Sequence, residues 1–84
     1  MLRYLVLAMR KPSFDVAVVP LHRAFLDTLR ARERLEMSGP FTDGSGGAYL
    51  LRAESLDEAT VIAESDPLHV RGASTVTVRE WNAA

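Results

Sequence analysis

Eighty-four residues without a cysteine make one domain, spanning 1–84, with no disulfide framework or thiolate metal site to reinforce it. A chain of this size buries only about 60% of the surface its unfolded form exposes. Yet 48% of the residues are hydrophobic, which leaves apolar surface for a partner chain. The formal net charge is −1, with both signs interspersed, and that excludes the basic stripe of a nucleic-acid binder. Arg30, Arg32 and Arg34 come nearest to one, but Glu33 and Glu36 interrupt them, and a solvated helix end is the expectation.

In chain order, Leu2 to Arg10 reads as a strand apolar on both faces. Tyr4, Val6 and Ala8 lie on one side and Leu5, Leu7 and Met9 on the other, the mark of a strand covered twice. Lys11-Pro12-Ser13 ends it. A helix follows whose start is ambiguous: Ser13 or Asp15 suits an early cap, and Pro20 suits a first-turn position or a kink. From Leu21 the residues Leu21, Phe25, Leu26 and Leu29 recur at helical spacing, with Arg23, Asp27, Arg30 and Glu33 facing outward.

Leu35 to Phe41 is a second strand ended by Gly39-Pro40, and Thr42 to Gly46 is turn chemistry. Gly47 to Ala53 is a third strand containing Tyr49, Leu50 and Leu51. Ser55-Leu56-Asp57-Glu58 has the capping-box pattern and is the firmest helix start, with Leu56, Ala59, Ile62 and Ala63 as the buried face. Asp66-Pro67 closes that helix, and Leu68 to Arg71 forms a turn or single-turn helix. Ser74 to Trp81 alternates threonines with Val76 and Val78 as a final strand.

Strand, helix, strand, strand, helix, strand is the α+β, ferredoxin-like βαββαβ order, with an antiparallel sheet. Two helices cover one sheet face, so the two-sided first strand predicts a homodimer built on the other face. The apolar run Leu5 to Met9 is too short for a signal peptide, and nothing approaches the ~20 apolar residues of a membrane span. A cytoplasmic protein is expected, with no membrane and no nucleic acid among its partners.

Among residues that carry chemistry, His22 follows Pro20 at the edge of the apolar helix face. Imidazole moves protons in either direction near neutrality, and it works best when a carboxylate holds one ring nitrogen. Asp66 suits that role if the end of the second helix lies beside the start of the first; otherwise it caps the turn at Leu68. The Asp43-Gly44 and Gly46-Gly47 pairs form a β-turn connection, since no helix or lysine follows to meet phosphate. His69 with His22 and the carboxylates lacks metal-ligand spacing, and no metal is expected. Trp81 reads as an interface or core-edge aromatic.

Three motifs in order, Pro20-Leu21-His22-Arg23, Met37-Ser38-Gly39-Pro40 and Asp66-Pro67-Leu68, resemble the YCII-related family over nearly the whole chain. The resemblance implies a dimeric α/β-barrel type of ferredoxin-like protein whose proposed active site is a His–Asp pair, falling on His22 and Asp66. Ser38, Gly39 and Pro40 match the strand-end segment lining the same pocket. Two positions depart from the family pattern: the loop after Gly39-Pro40 is short, and Leu68 stands where an aromatic often follows Asp-Pro.

YCII-like and the similar muconolactone-isomerase-like proteins act in aromatic degradation, so the resemblance implies a small aromatic or lactone-like substrate. It implies proton transfer without a cofactor, most concretely removal of HCl from a chlorinated hydroxyhydroquinone to leave a hydroxyquinone. The alternative is a non-catalytic dimeric module that binds a small molecule or another protein.

Overall fold

The computed structural model describes all 84 residues. Strand β1 (Leu2–Arg10) leads through a 3-10 turn (Val16–Val18) into helix α1 (Val19–Ala31). Strands β2 (Leu35–Pro40) and β3 (Gly46–Ala53) form a hairpin. Helices α2 (Leu56–Glu64) and α3 (Pro67–Val70) precede strand β4 (Ser74–Glu80). The sheet is antiparallel throughout, in the order β2-β3-β1-β4. It is the ferredoxin-like arrangement that the element order predicts.

The ambiguous helix start resolves into two pieces. Asp15 accepts from the Ala17 amide and caps the 3-10 turn; α1 then begins at Val19, with Pro20 in its first turn. Proline is at home there because the first amides of a helix have no intrahelical acceptor. At the other end Glu33 adopts φ 59°, while the Arg34 amide reaches the Leu29 carbonyl at 2.9 Å and the Glu33 amide reaches Arg30 at 3.0 Å. That pair of bonds is the Schellman closure, with glutamate in the left-handed position glycine usually takes.

The capping box of α2 forms only on one side. Glu58 N–H donates to Ser55 Oγ at 3.1 Å, but the Glu58 carboxylate accepts from the Glu54 amide and not from Ser55. Arg34 holds the same carboxylate. Leu56, expected inside, is exposed, and so is Leu21. Both lie at the start of a helix, where the apolar stripe has not yet turned under the sheet.

Register fixes which side chains meet the helices. Tyr4 pairs with Leu51, Val6 with Tyr49 and Ala8 with Gly47 across β1 and β3. Val78 and Val76 stand beside Val6 and Ala8 on the β4 side. Tyr4, Val6, Tyr49 and Leu51 face the helices and close a core with Leu26, Leu29, Ala59 and Ala63, while Ala8 packs in a second cluster with Val18, Leu68 and Ala73. The opposite face carries Leu5, Leu7, Leu50 and Met37, and no helix lies over it. A bulge between Leu35 and Met37 keeps Leu35 in the core and turns Glu36 to the open side, where it bridges Arg3 and Arg52. No helix is long and apolar enough to cross a membrane.

Candidate active site

His22 sits in the first turn of α1 with its side chain 21% exposed, and Asp66 has no exposed surface. His22 Nδ1 lies 3.0 Å from Asp66 Oδ1 and 2.9 Å from Oδ2. The local structure that brings them together is legible residue by residue. Pro20 fixes where α1 starts, so the ring leaves the helix on its sheet-facing side. Asp66 stands in extended conformation (φ −62°, ψ 132°) as the N-cap of α3, ahead of Pro67. Its carboxylate turns inward and also accepts from the Leu68 amide at 2.9 Å. Asp66 thus caps the turn and meets the histidine at once; the two sequence alternatives are both realised.

A third side chain completes the arrangement. Tyr49, on the helix-facing side of β3 and 3% exposed, donates its hydroxyl to Asp66 Oδ2 at 3.1 Å. Its ring centroid lies 6.0 Å from that of His22, tilted by 47°. Burial, and then the neighbouring Asp66 carboxylate, hold the Tyr49 phenol well above its ordinary range, so it stays a donor. The sequence reading missed Tyr49 as a site residue and placed it only in a strand. The signal was present: a tyrosine among core residues needs a partner for its hydroxyl.

The donors around Asp66 determine how the imidazole is oriented. A carboxylate can only accept, so His22 Nδ1 carries the hydrogen toward it and Nε2 is left as the unoccupied nitrogen. His22 lines a cavity of about 470 Å³ between α1 and the β2–β3 end of the sheet, a volume in the range that encloses a small ring compound. Ser38, Gly39 and Pro40 line it too. Asp66 does not; it lies behind the histidine, out of reach of anything in the cavity. The Ser38 hydroxyl is exposed and carries no hydrogen bond within the protein, and His69 is exposed on α3.

Small residues give the cavity its floor. A Cβ on Gly46 would run into the Ala8 carbonyl oxygen, and one on Gly47 would lie 2.7 Å from the Gly39 carbonyl oxygen. With Ala8 and Ala48 these glycines form a low surface of backbone. Arg10, Phe14, Arg23 and Leu68 belong to the walls. Arg23, Asp27 and Arg30 face solvent as expected, and they also border the cavity on the exposed edge of α1.

The short loop after Pro40 is a tight turn. The Phe41 amide bonds the Gly46 carbonyl at 2.7 Å, and Gly44 takes φ 76°. Leu68 is buried and packs with Ala8, Val18 and Ala73. Both departures from the family pattern therefore fall at the cavity.

Residues 2–82 match the YCII-related domain. The chain is 48% identical over 81 residues to the uncharacterised protein YjpA of Bacillus subtilis (strain 168), covering 96% of this chain and 95% of that one. Among solved structures it is similar to the 5-chloro-2-hydroxyhydroquinone dehydrochlorinase TftG of Burkholderia phenoliruptrix AC1100, in complex with 2,5-dihydroxybenzoquinone. The TM-score is 0.82, with 98% of this chain and 95% of the other covered, at 23% identity. At that identity the likeness is one of fold. The chain belongs to the YCII-related family.

Proposed function

We propose that this YCII-related protein is a cofactor-independent, cytoplasmic enzyme, one domain per subunit and a homodimer, that moves protons on an oxygenated ring. The observation that carries the reading is the 2.9 Å contact between His22 Nδ1 and the fully buried Asp66 carboxylate, with the other imidazole nitrogen left for a ligand in the cavity. The most concrete substrate is a chlorinated hydroxyhydroquinone, supported by the fold shared with a dehydrochlorinase.

Loss of HCl from such a ring balances without an external oxidant. His22 Nε2 takes the proton of the hydroxyl next to chlorine and returns it to the chlorine-bearing carbon, giving a ketone beside a tetrahedral C–Cl centre. The hydroxyl para to that ketone then yields its proton to the same nitrogen. Its electron pair becomes the second carbonyl, the ring double bond shifts, and chloride leaves with the C–Cl bonding pair. Asp66 steadies the imidazolium formed in each half. Ser38, beside Gly39 and Pro40 at the strand end, holds a substrate oxygen.

Chloride release and quinone absorbance from 5-chloro-2-hydroxyhydroquinone test the proposal. His22→Ala should lower turnover by about 100-fold or more. Asp66→Asn should lower kcat strongly, because the amide cannot stabilise imidazolium and presents its N–H₂ to the wrong tautomer. Ser38→Ala should do less, since one neutral hydrogen bond contributes about 0.5–1.5 kcal/mol. Ring binding by the wild type with no turnover would leave the non-catalytic binding module in place of the enzyme.

A further inference from the structure

Three arginines line the cavity, Arg10, Arg23 and Arg30, on a chain whose formal net charge is −1. Only one of them has its charge met. Arg30 Nη1 pairs with Asp27 Oδ1 at 2.9 Å. Arg10 and Arg23 form no ion pair, although Arg3, Arg34 and Arg52 elsewhere in the molecule each have a glutamate partner. The Asp66 carboxylate offers no compensation, because its oxygens are taken by His22, Tyr49 and the Leu68 amide.

The two free guanidiniums come from different elements. Arg23 follows His22 on α1, and Arg10 ends β1 on the helix-facing side, next to Ser74 in register. Arg10 lies over Phe14, with its guanidinium carbon 4.1 Å from the centre of the ring. Stacking of that kind uses the face of the group and leaves its in-plane N–H donors available. A planar anion is the natural complement of that edge.

Resting on the ring-substrate reading above, we infer that the cavity takes its substrate as an oxyanion, a ring carboxylate or an ionised ring hydroxyl, held by Arg10 and Arg23 beside His22. The arginines bind and orient; His22 does the proton transfer. A neutral ring of the same shape enters the cavity more weakly. For a hydroxylated ring, holding one oxygen as the anion also raises the electron density that drives out a leaving group.

Calorimetry with two matched pairs tests this and separates the two anion sources. One pair is 2,5-dihydroxybenzoate and 2,5-dihydroxybenzamide; the other is 2,5-dihydroxybenzoquinone and 2,5-dimethoxybenzoquinone. The anion of at least one pair should bind about tenfold or more tighter than its neutral partner, and the pair that shows the preference identifies the group. The preference should weaken with added salt. It should fall to about twofold or less in the double variant Arg10→Gln, Arg23→Gln, with circular dichroism showing the fold retained. His22→Asn should keep the preference, so a failure of the catalytic reading leaves this one standing. Equal affinities within both pairs, no binding of any of the four compounds, or a preference that survives loss of both arginines overturns it. Should the double variant not fold, a salt-independent preference in the wild type overturns it equally.

Discussion

The Tyr49 hydroxyl donates to Asp66 Oδ2 at 3.1 Å, the same oxygen that His22 Nδ1 meets at 2.9 Å. Strand β3 therefore fixes the carboxylate, and through it the imidazole of α1, from beneath. Tyr49 also lines the cavity, but its hydroxyl is committed to Asp66 Oδ2, so it acts on His22 through that carboxylate and is a positioning residue. Tyr49→Phe should destabilise the fold by about 1 kcal/mol, because Asp66 keeps its other donors. It should also lower kcat several-fold while leaving KM nearly unchanged. Steady-state kinetics with urea denaturation checks both; an unaltered kcat would remove Tyr49 from the positioning role.

The same hydroxyl gives stability a dependence on alkaline pH. Folding raises the Tyr49 pKa above its ordinary value of 10.0. Above about pH 10 the unfolded chain therefore binds fewer protons than the native one, and stability falls as pH rises. Below that value the contribution is fully present. Tyr4, buried and also raised, adds a slope of the same sign. Denaturation midpoints between pH 8 and roughly 11 should fall more steeply for the wild type than for Tyr49→Phe, whose remaining slope reports Tyr4.

Much of this architecture is legible in the sequence because it rests on local rules. The alternation of β1, the Ser55 cap and the Asp66-Pro67 corner each place an element within a residue or two. His22 and Asp66 are legible as a pair only through the family resemblance, since their contact spans 44 positions and no local pattern encodes it. Tyr49 was hidden because period-two alternation gives the face of a strand residue but not what its hydroxyl meets across the core. The arginines were hidden for the opposite reason. Arg23 and Arg30 have the spacing of a solvated helix face, and only the groove beside β2 makes that face a wall.

Asp66 should matter to stability beyond catalysis. Asp66→Ala strips the cap from α3 and leaves the Leu68 amide and the Tyr49 hydroxyl without their acceptor in a buried setting. A loss of about 2–4 kcal/mol is expected, against less for Asp66→Asn, whose carbonyl still accepts one of these bonds. Thermal unfolding of the two variants should show that order; equal losses would mean the carboxylate's charge, not its acceptors, holds the corner.

Glu33 offers a change in the other direction. Its φ of 59° costs a non-glycine residue about 1 kcal/mol, and the side chain is exposed with no bond to defend it. Glu33→Gly should stabilise the protein by up to about 0.5 kcal/mol, the relief of strain being partly offset by greater freedom of the unfolded chain. Chemical denaturation would show a higher midpoint at unchanged slope, and a clear loss of stability would mean the Schellman closure needs more than φ.

The helix-free sheet face sets the last prediction. Half-buried Leu5 and Leu7 lie there with Met37, which is 63% exposed, over a buried Leu50, and the Arg3–Glu36–Arg52 bridge closes one end of the patch. Apolar surface on a sheet face that no helix covers is costly to leave in water on so small a body. An isologous contact between two such faces covers it with the side chains already present. The protein should sediment as a dimer at micromolar concentration. Leu7→Glu and Met37→Glu, which put like charges across the two-fold, should shift it toward monomer. Neither residue touches the cavity, so ring binding per chain should survive in any monomer that stays folded. A wild type that runs as a monodisperse monomer would sink the interface, and a dimer indifferent to both glutamates would move it to another face.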